Sequence, residues 1–194
     1  GDLPCAFSPK MANPGMTLEK RMTTRLMQIA TILLACFMID QLSKWIILEQ
    51  VMLPPRVISV TSFFNLTLNF NTGVSFGFFK ETLAEWPTVL AGTKGLIAVG
   101  LVVWASLTNS RAERIGLAMI AGGALGNTID RWRQGAVTDF LDFHWNNWHW
   151  PTFNMADVVI VGGVALIFLA VMLPDPTAKT TPSATSPTER PRQS

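Results

Sequence analysis

The stretch "FNMADVVIVGGVALIFLAVML" places Asp157 directly ahead of sixteen uncharged residues, 158–173. A carboxylate leading into such a run is costly in lipid, and ionisable groups at that depth mark functional sites by default. Asp139, 18 residues earlier in "VTDF", has Val137, Thr138, Phe140 and Leu141 around it, a largely apolar setting. Two carboxylates facing each other in a dry site cannot both ionise, so they share a proton. One then activates water while the other donates to a carbonyl oxygen. Spacing alone leaves the partner of Asp157 open between Asp139, Asp130 and Asp40.

Other chemistries are weaker. "GVSFG" (73–77) matches the nucleophile-elbow pattern, but the elbow needs a strand leading into a helix and a base. The two histidines stand in another loop. His144 and His149, with Asp139 and Asp142, match no metal-ligand spacing. They lie among tryptophans of the kind that line membrane interfaces. No metal or cofactor is expected. Cys5, in a polar tail, and Cys36, inside an apolar segment, are not expected to pair, and Cys5 follows no apolar run that would mark it for lipid attachment.

The elements that position these residues are read from hydropathy. The chain is 49% hydrophobic and 14% charged, with mean hydropathy +0.33. Soluble domains carry about a quarter charged residues, so the balance points to a membrane. Four apolar segments stand out, at 26–48, 86–107, 115–129 and 151–173. Each approaches the roughly 20 residues of a spanning helix, although the third is short enough to be re-entrant. The first contains Asp40 and Lys44, exceeds a signal-peptide core and lacks a small-x-small cleavage site, so it is read as a retained span. Lys and Arg number four in the N-terminal tail, two in the middle loop and three in the C-terminal tail, against two and two in the longer outer loops. That bias predicts cytoplasmic termini. With alternating directions, Asp40, Lys44, Asn127, Asp130, Asn154 and Asp157 then gather at the outer leaflet. The net charge of +2 gives no nucleic-acid signal.

Structural roles compete for several of these residues. Asp40 and Lys44, four apart, share a helix face and can neutralise each other, and Lys44 can also snorkel to the headgroups, as Lys94 is expected to do. Asp130, three residues after Asn127 and next to Arg131, reads as a bracket between loop and helix. Gly122 and Gly126 read as packing positions. "NLTLNFN" (65–71) alternates with period two and predicts a strand, with 57–60 as its partner. Such a sheet could hold an extended peptide along an edge.

Taken together, "DQLSK" (40–44), "NFNTGVSF" (69–76), "GGALGNTIDR" (122–131), "VTDF" (137–140) and "FNMAD" (153–157) resemble the ordered signature of the bacterial lipoprotein signal peptidases, signal peptidase II. The resemblance spans residues 26–173. It implies a mainly α membrane protein of four transmembrane helices with cytoplasmic termini and a small periplasmic β-cradle. It implies a metal-free aspartyl endopeptidase of the bacterial inner membrane, acting near the periplasmic leaflet. The implied substrate is a diacylglyceryl-prolipoprotein, cut just before the lipidated cysteine. Carried over, the dyad falls on Asp139 and Asp157. Supporting positions fall on Asp40, Lys44, Asn71, Gly73, Gly123, Asn127, Asp130, Arg131, Asn154 and Ala156. Asn71 is implied to bond the substrate, and Arg131 to hold the backbone around the site. Asp142 has no implied role and is expected to face the interface.

The domain reading is a cytoplasmic tail (1–25), the membrane peptidase domain (26–173) with outer loops at about 49–86 and 130–154, and a disordered tail (174–194). Membrane lipid is the expected environment and a monomer the expected state. Two other readings compete. A small proton-coupled transporter would use the same acids but favours repeats and midplane sites, and no repeat is visible. A non-catalytic scaffold would gain nothing from embedded carboxylates.

Overall fold

The computed structural model describes residues 18–73 and 87–172. The tails, Lys80 and most of "GVSFG" lie outside the described residues. Four helices and a small sheet follow in chain order: α1 (Leu18–Ile46), a π-helical turn (Ile47–Val51), β1 (Ile58–Thr61), β2 (Phe64–Asn71), α2 (Pro87–Leu107), α3 (Arg111–Gln134), β3 (Val137–Trp145), β4 (Trp148–His149) and α4 (Met155–Met172).

Helix α3 is the centre of the bundle, and α1, α2 and α4 each pack against it. Hydropathy alone delimited this helix too narrowly, because its ends are set by caps. Ser110 Oγ accepts the Glu113 N–H at 3.3 Å, at the start of an S-x-x-E capping sequence. Gly135 closes the other end at φ +76°, its N–H donating to Arg131 O. The result is 24 continuous residues, about 36 Å at 1.5 Å per residue.

The burial pattern inverts that of a soluble bundle. Asp40, Lys44, Asn127, Asp130 and Arg131 are buried, while Leu96, Val103, Val161 and Phe168 are exposed. Helices that pack through polar and small residues and turn Leu and Val outward suit a lipid surround. By length and composition α1, with its π-helical turn, and α4 can cross a membrane; the apolar part of α2, Gly92–Leu107, is shorter.

The expected β1–β2 pair forms, within a four-stranded antiparallel sheet of order β1-β2-β3-β4. The stretch 130–154, expected as a loop, contains the end of α3 and all of β3 and β4. Register places Asn69 opposite Asp139 and Asn65 opposite Asp142, with an irregularity between Leu66 and Asn69. Phe153 then pairs with Leu141, which brings the start of α4 beside β3.

Candidate active site

Asn154 caps α4 and joins Asp139 to Asp157. Its Oδ1 accepts the Asp157 N–H at 3.1 Å, and Asp157 Oδ2 accepts the Asn154 N–H at 3.3 Å. This is a reciprocal capping box with aspartate at its third helical position. The helix N-terminus there favours negative charge on Asp157. Asn154 Nδ2 donates to Asp139 Oδ1 at 2.6 Å. The pairing of Phe153 with β3 is what sets this geometry.

Asp139 is 1% exposed, and Asn71 Nδ2 donates to its second oxygen at 3.0 Å. Burial pushes its carboxyl above the usual range; the donors Asn71 and Asn154 pull it down, and the charge of Asp157 raises it again. On balance these surroundings favour the protonated form of Asp139.

Behind this pair lies a buried ion network. Lys44 Nζ stands 2.7 Å from Asp40 Oδ2 and 2.7 Å from Asp130 Oδ2, and donates to Asn127 Oδ1 at 3.0 Å. At 3% exposed, Lys44 does not snorkel. The two acids draw it inward instead. Asn127 Oδ1 also accepts from Asn154 Nδ2, and Asn127 Nδ2 donates to Asp157 Oδ1 at 3.0 Å. One amide thus couples the buried cation to the dyad. Asp40 Oδ1 accepts the Ala156 N–H at 2.9 Å, an anion at the first turn of α4. Asp130 Oδ2 accepts the Thr138 N–H at 3.3 Å, tying β3 to α3.

Close approach requires glycine at Gly126 and Gly123 beside the site. A Cβ on Gly126 would collide with Asp40 Oδ2, and one on Gly123 would stand 2.6 Å from Ala156 O. Arg131, 5% exposed, donates from Nη1 to Asn127 O at 3.2 Å and packs against Gly73.

Sequence reasoning missed Gln41, whose Nε2 donates to Asp40, Asp130 and Gly126 O. Its signal was an amide beside Asp40 in an apolar segment. Lys94 is half-buried on α2, and its charge acts on Arg131 and Asp157. Four carboxylates, Asp40, Asp130, Asp139 and Asp157, therefore lie near three basic side chains, Lys44, Lys94 and Arg131.

Asp142 corrects an expectation. It is 4% exposed rather than turned to the interface, accepting from Asn65 Nδ2 at 3.1 Å and pairing with His149 Nδ1 at 2.9 Å. Burial alone would raise its carboxyl, but the His149 and Asn65 bonds outweigh that and hold it below the usual range. His144 stacks on His149, ring centroids 5.1 Å apart. The neighbouring Trp145, Trp148 and Trp150 are exposed.

A helical bundle with buried charges and apolar outer faces, and a small sheet that sets Asp139 beside the helix bearing Asp157, defines a membrane protein. Two solved structures, both described as bacterial membrane enzymes determined by the in meso method, share the fold. One, at 1.9 Å, is 26% identical with a TM-score of 0.59, covering 77% of this chain and 93% of its own. The other, at 2.3 Å, is 23% identical with a TM-score of 0.58, covering 86% and 95%. The family model described as signal peptidase (SPase) II matches residues 32–173. The chain is 40% identical over 140 residues to the lipoprotein signal peptidase of Nitratidesulfovibrio vulgaris, covering 69% of this chain and 82% of that one. It is 43% identical over 116 residues to the one from Francisella tularensis subsp. novicida, covering 58% and 72%. The chain belongs to the signal peptidase II family, and it is a peptidase.

Proposed function

We propose that this protein is a membrane aspartyl endopeptidase that removes the signal peptide from diacylglyceryl-modified prolipoproteins, cutting just before the lipidated cysteine. Asp139 and Asp157 are its catalytic dyad. The observation that carries this reading is Asn154, which bonds Asp139 through one side-chain atom and Asp157 through another.

Asp157, charged at a helix N-terminus and bonded by Asn127, takes a proton from water as the oxygen attacks the scissile carbonyl. Asp139 gives its proton to the carbonyl oxygen, so a neutral gem-diol forms and no bare oxyanion is left in a dry site. On collapse the proton held by Asp157 passes to the leaving amine, and Asp139 recovers its own from the gem-diol. Lys44 and Arg131 balance the remaining negative charge. Asn71 stands where a substrate backbone passing Asp139 would meet its amide.

In this reading residues 26–173 are the peptidase domain, all four helices span the inner membrane, the termini are cytoplasmic, and the monomer works near the periplasmic leaflet. The Lys and Arg bias supports that orientation. The transporter alternative is not favoured by the family, by the absence of a repeat or by acids gathered at one end.

The test is incubation of the purified enzyme with a prolipoprotein carrying or lacking diacylglycerol. The lipid holds the peptide at the depth of the aspartates, and such positioning contributes several kcal/mol, of order 7–11 at most. Only the lipidated substrate is expected to be cut. Equal turnover of both would sink the reading.

A further inference from the structure

At the end of the bundle remote from the dyad, three arginines gather where α1, the turn between α2 and α3, and α3 itself meet. Arg114, in the first turn of α3, is 7% exposed. Its Nε donates to Gln28 Oε1 on α1 at 3.3 Å, and its Nη1 to Thr108 O, just after α2, at 3.3 Å. Arg25 Nη2 donates to Asn109 Oδ1 at 3.3 Å. The charges of Arg25 and Arg111 both act on Arg114. The stretch of α3 from Arg114 to Asn127 spans about 20 Å at 1.5 Å per residue, so this cluster is separate from the catalytic network.

Every acceptor these arginines meet is neutral. Among the described residues none of the three forms an ion pair, and Arg114 Nη2 has no hydrogen-bond partner. Glu113, the carboxylate in this turn, accepts from the Thr108 hydroxyl instead. A buried charge without a counter-ion is costly. Its place adds to the cost, because a helix N-terminus is itself positive and favours anions. The surroundings then indicate which anion would settle here. Leu26, beside Arg25, and Leu107, the last residue of α2, are 47% and 71% exposed. Helix α1 is apolar enough to cross a membrane. An anion that carries acyl chains satisfies the guanidinium groups and covers these apolar side chains, whereas a free ion does only the first. Basic pockets between membrane helices bind lipid headgroups in this way.

We propose that Arg25, Arg111 and Arg114 form a binding site for the phosphodiester headgroup of an anionic phospholipid, whose chains lie against Leu26 and Leu107. Guanidinium groups suit phosphate oxygens because their donors form a planar fork. The bound lipid ties α1, α2 and α3 together at the end of the bundle that the Lys and Arg bias assigns to the cytoplasmic leaflet. This site goes beyond the peptidase reading, and its test needs no cleavage.

The experiment is thermal unfolding of the full chain in maltoside detergent, with phosphatidylglycerol, phosphatidylcholine or inorganic phosphate added. At about a hundred times its Kd, a lipid that binds only the folded state raises the melting temperature by roughly 5–10 °C. Phosphatidylglycerol should give that rise, and the other two should not. Arg25→Gln combined with Arg111→Gln should lose most of it, and Arg111→Gln alone, at an exposed position, should lose part. Lys20→Gln combined with Arg21→Gln removes the same charge from exposed positions in the preceding turn and should keep the rise. An equal rise with phosphatidylcholine overturns the headgroup site, and an equal rise with phosphate overturns the lipid as its occupant. No rise with any of the three overturns both. A rise that the Arg25 and Arg111 variants keep, or that the Lys20 and Arg21 variant loses equally, overturns the assignment to these arginines.

Discussion

Asn154→Ala separates helix capping from control of the dyad. Asn154 is fully buried, caps α4 through Asp157 N–H, and donates at 2.6 Å to Asp139. Losing the cap costs about 0.5–2 kcal/mol of stability. Losing a donor to an ionised carboxylate costs the charged form about 1.5–3 kcal/mol. At about 1.4 kcal/mol per pH unit, Asp139 then keeps its proton to a pH roughly one to two units higher. The sign is fixed: the bond favours the ionised form, so its removal raises the carboxyl further. Activity needs that proton, so the alkaline limb of kcat/KM against pH should move up, on a lowered maximum. Asn154→Ser keeps a capping oxygen but cannot serve both carboxylates. It should recover much of the melting temperature while leaving the limb displaced. The assays are thermal unfolding in detergent and initial rates across pH. A lower melting temperature with an unmoved alkaline limb would refute the coupling and leave Asn154 a cap alone.

Other expectations follow from the same geometry. Gly126→Ala puts a methyl against Asp40 Oδ2, which Lys44 holds while the Ala156 N–H holds Oδ1. Overpacking of about 1–3 kcal/mol should lower the melting temperature, and unchanged melting would contradict the packing. A chelator should leave cleavage intact, whereas loss restored by zinc would return attention to Asp142, His144 and His149. A reporter fused after Leu173 should be cytoplasmic and one inserted near Glu81 periplasmic; swapped locations would overturn the leaflet assignment.

Much of the site was legible because burial of a charge in lipid leaves a strong mark in sequence. Asp40, Lys44, Asn127, Asp130, Asn154 and Asp157 each interrupt an apolar run, and the structure brings them into one network. The strand 65–71 was legible because one residue in two is polar. β3 was not, because "VTDFLDFHW" is buried on both faces at its start, where Val137, Thr138, Asp139 and Phe140 are all covered. Alternation fails for a strand without a wet face. The role of Asp142 was hidden for a related reason: its partners, Asn65 and His149, are 77 and 7 residues away, and only register unites them. Lys44 misled because snorkelling assumes a single helix in lipid. In a bundle, buried acids offer an ammonium more than the headgroups do.

The central claim is that Asp139 and Asp157 share one proton and act as acid and base. Initial cleavage rate of diacylglyceryl-prolipoprotein, per unit of folded enzyme, tests it in Asp139→Asn and Asp157→Asn. Asparagine nearly matches aspartate in shape but neither accepts nor shares a proton at neutral pH. Each variant should remain folded and membrane-inserted while its rate falls more than about a thousandfold, about 4 kcal/mol and so beyond one hydrogen bond's worth of roughly 1–3 kcal/mol. Substantial cleavage by either variant would contradict the dyad, and with it the reason a charge stands at the head of α4.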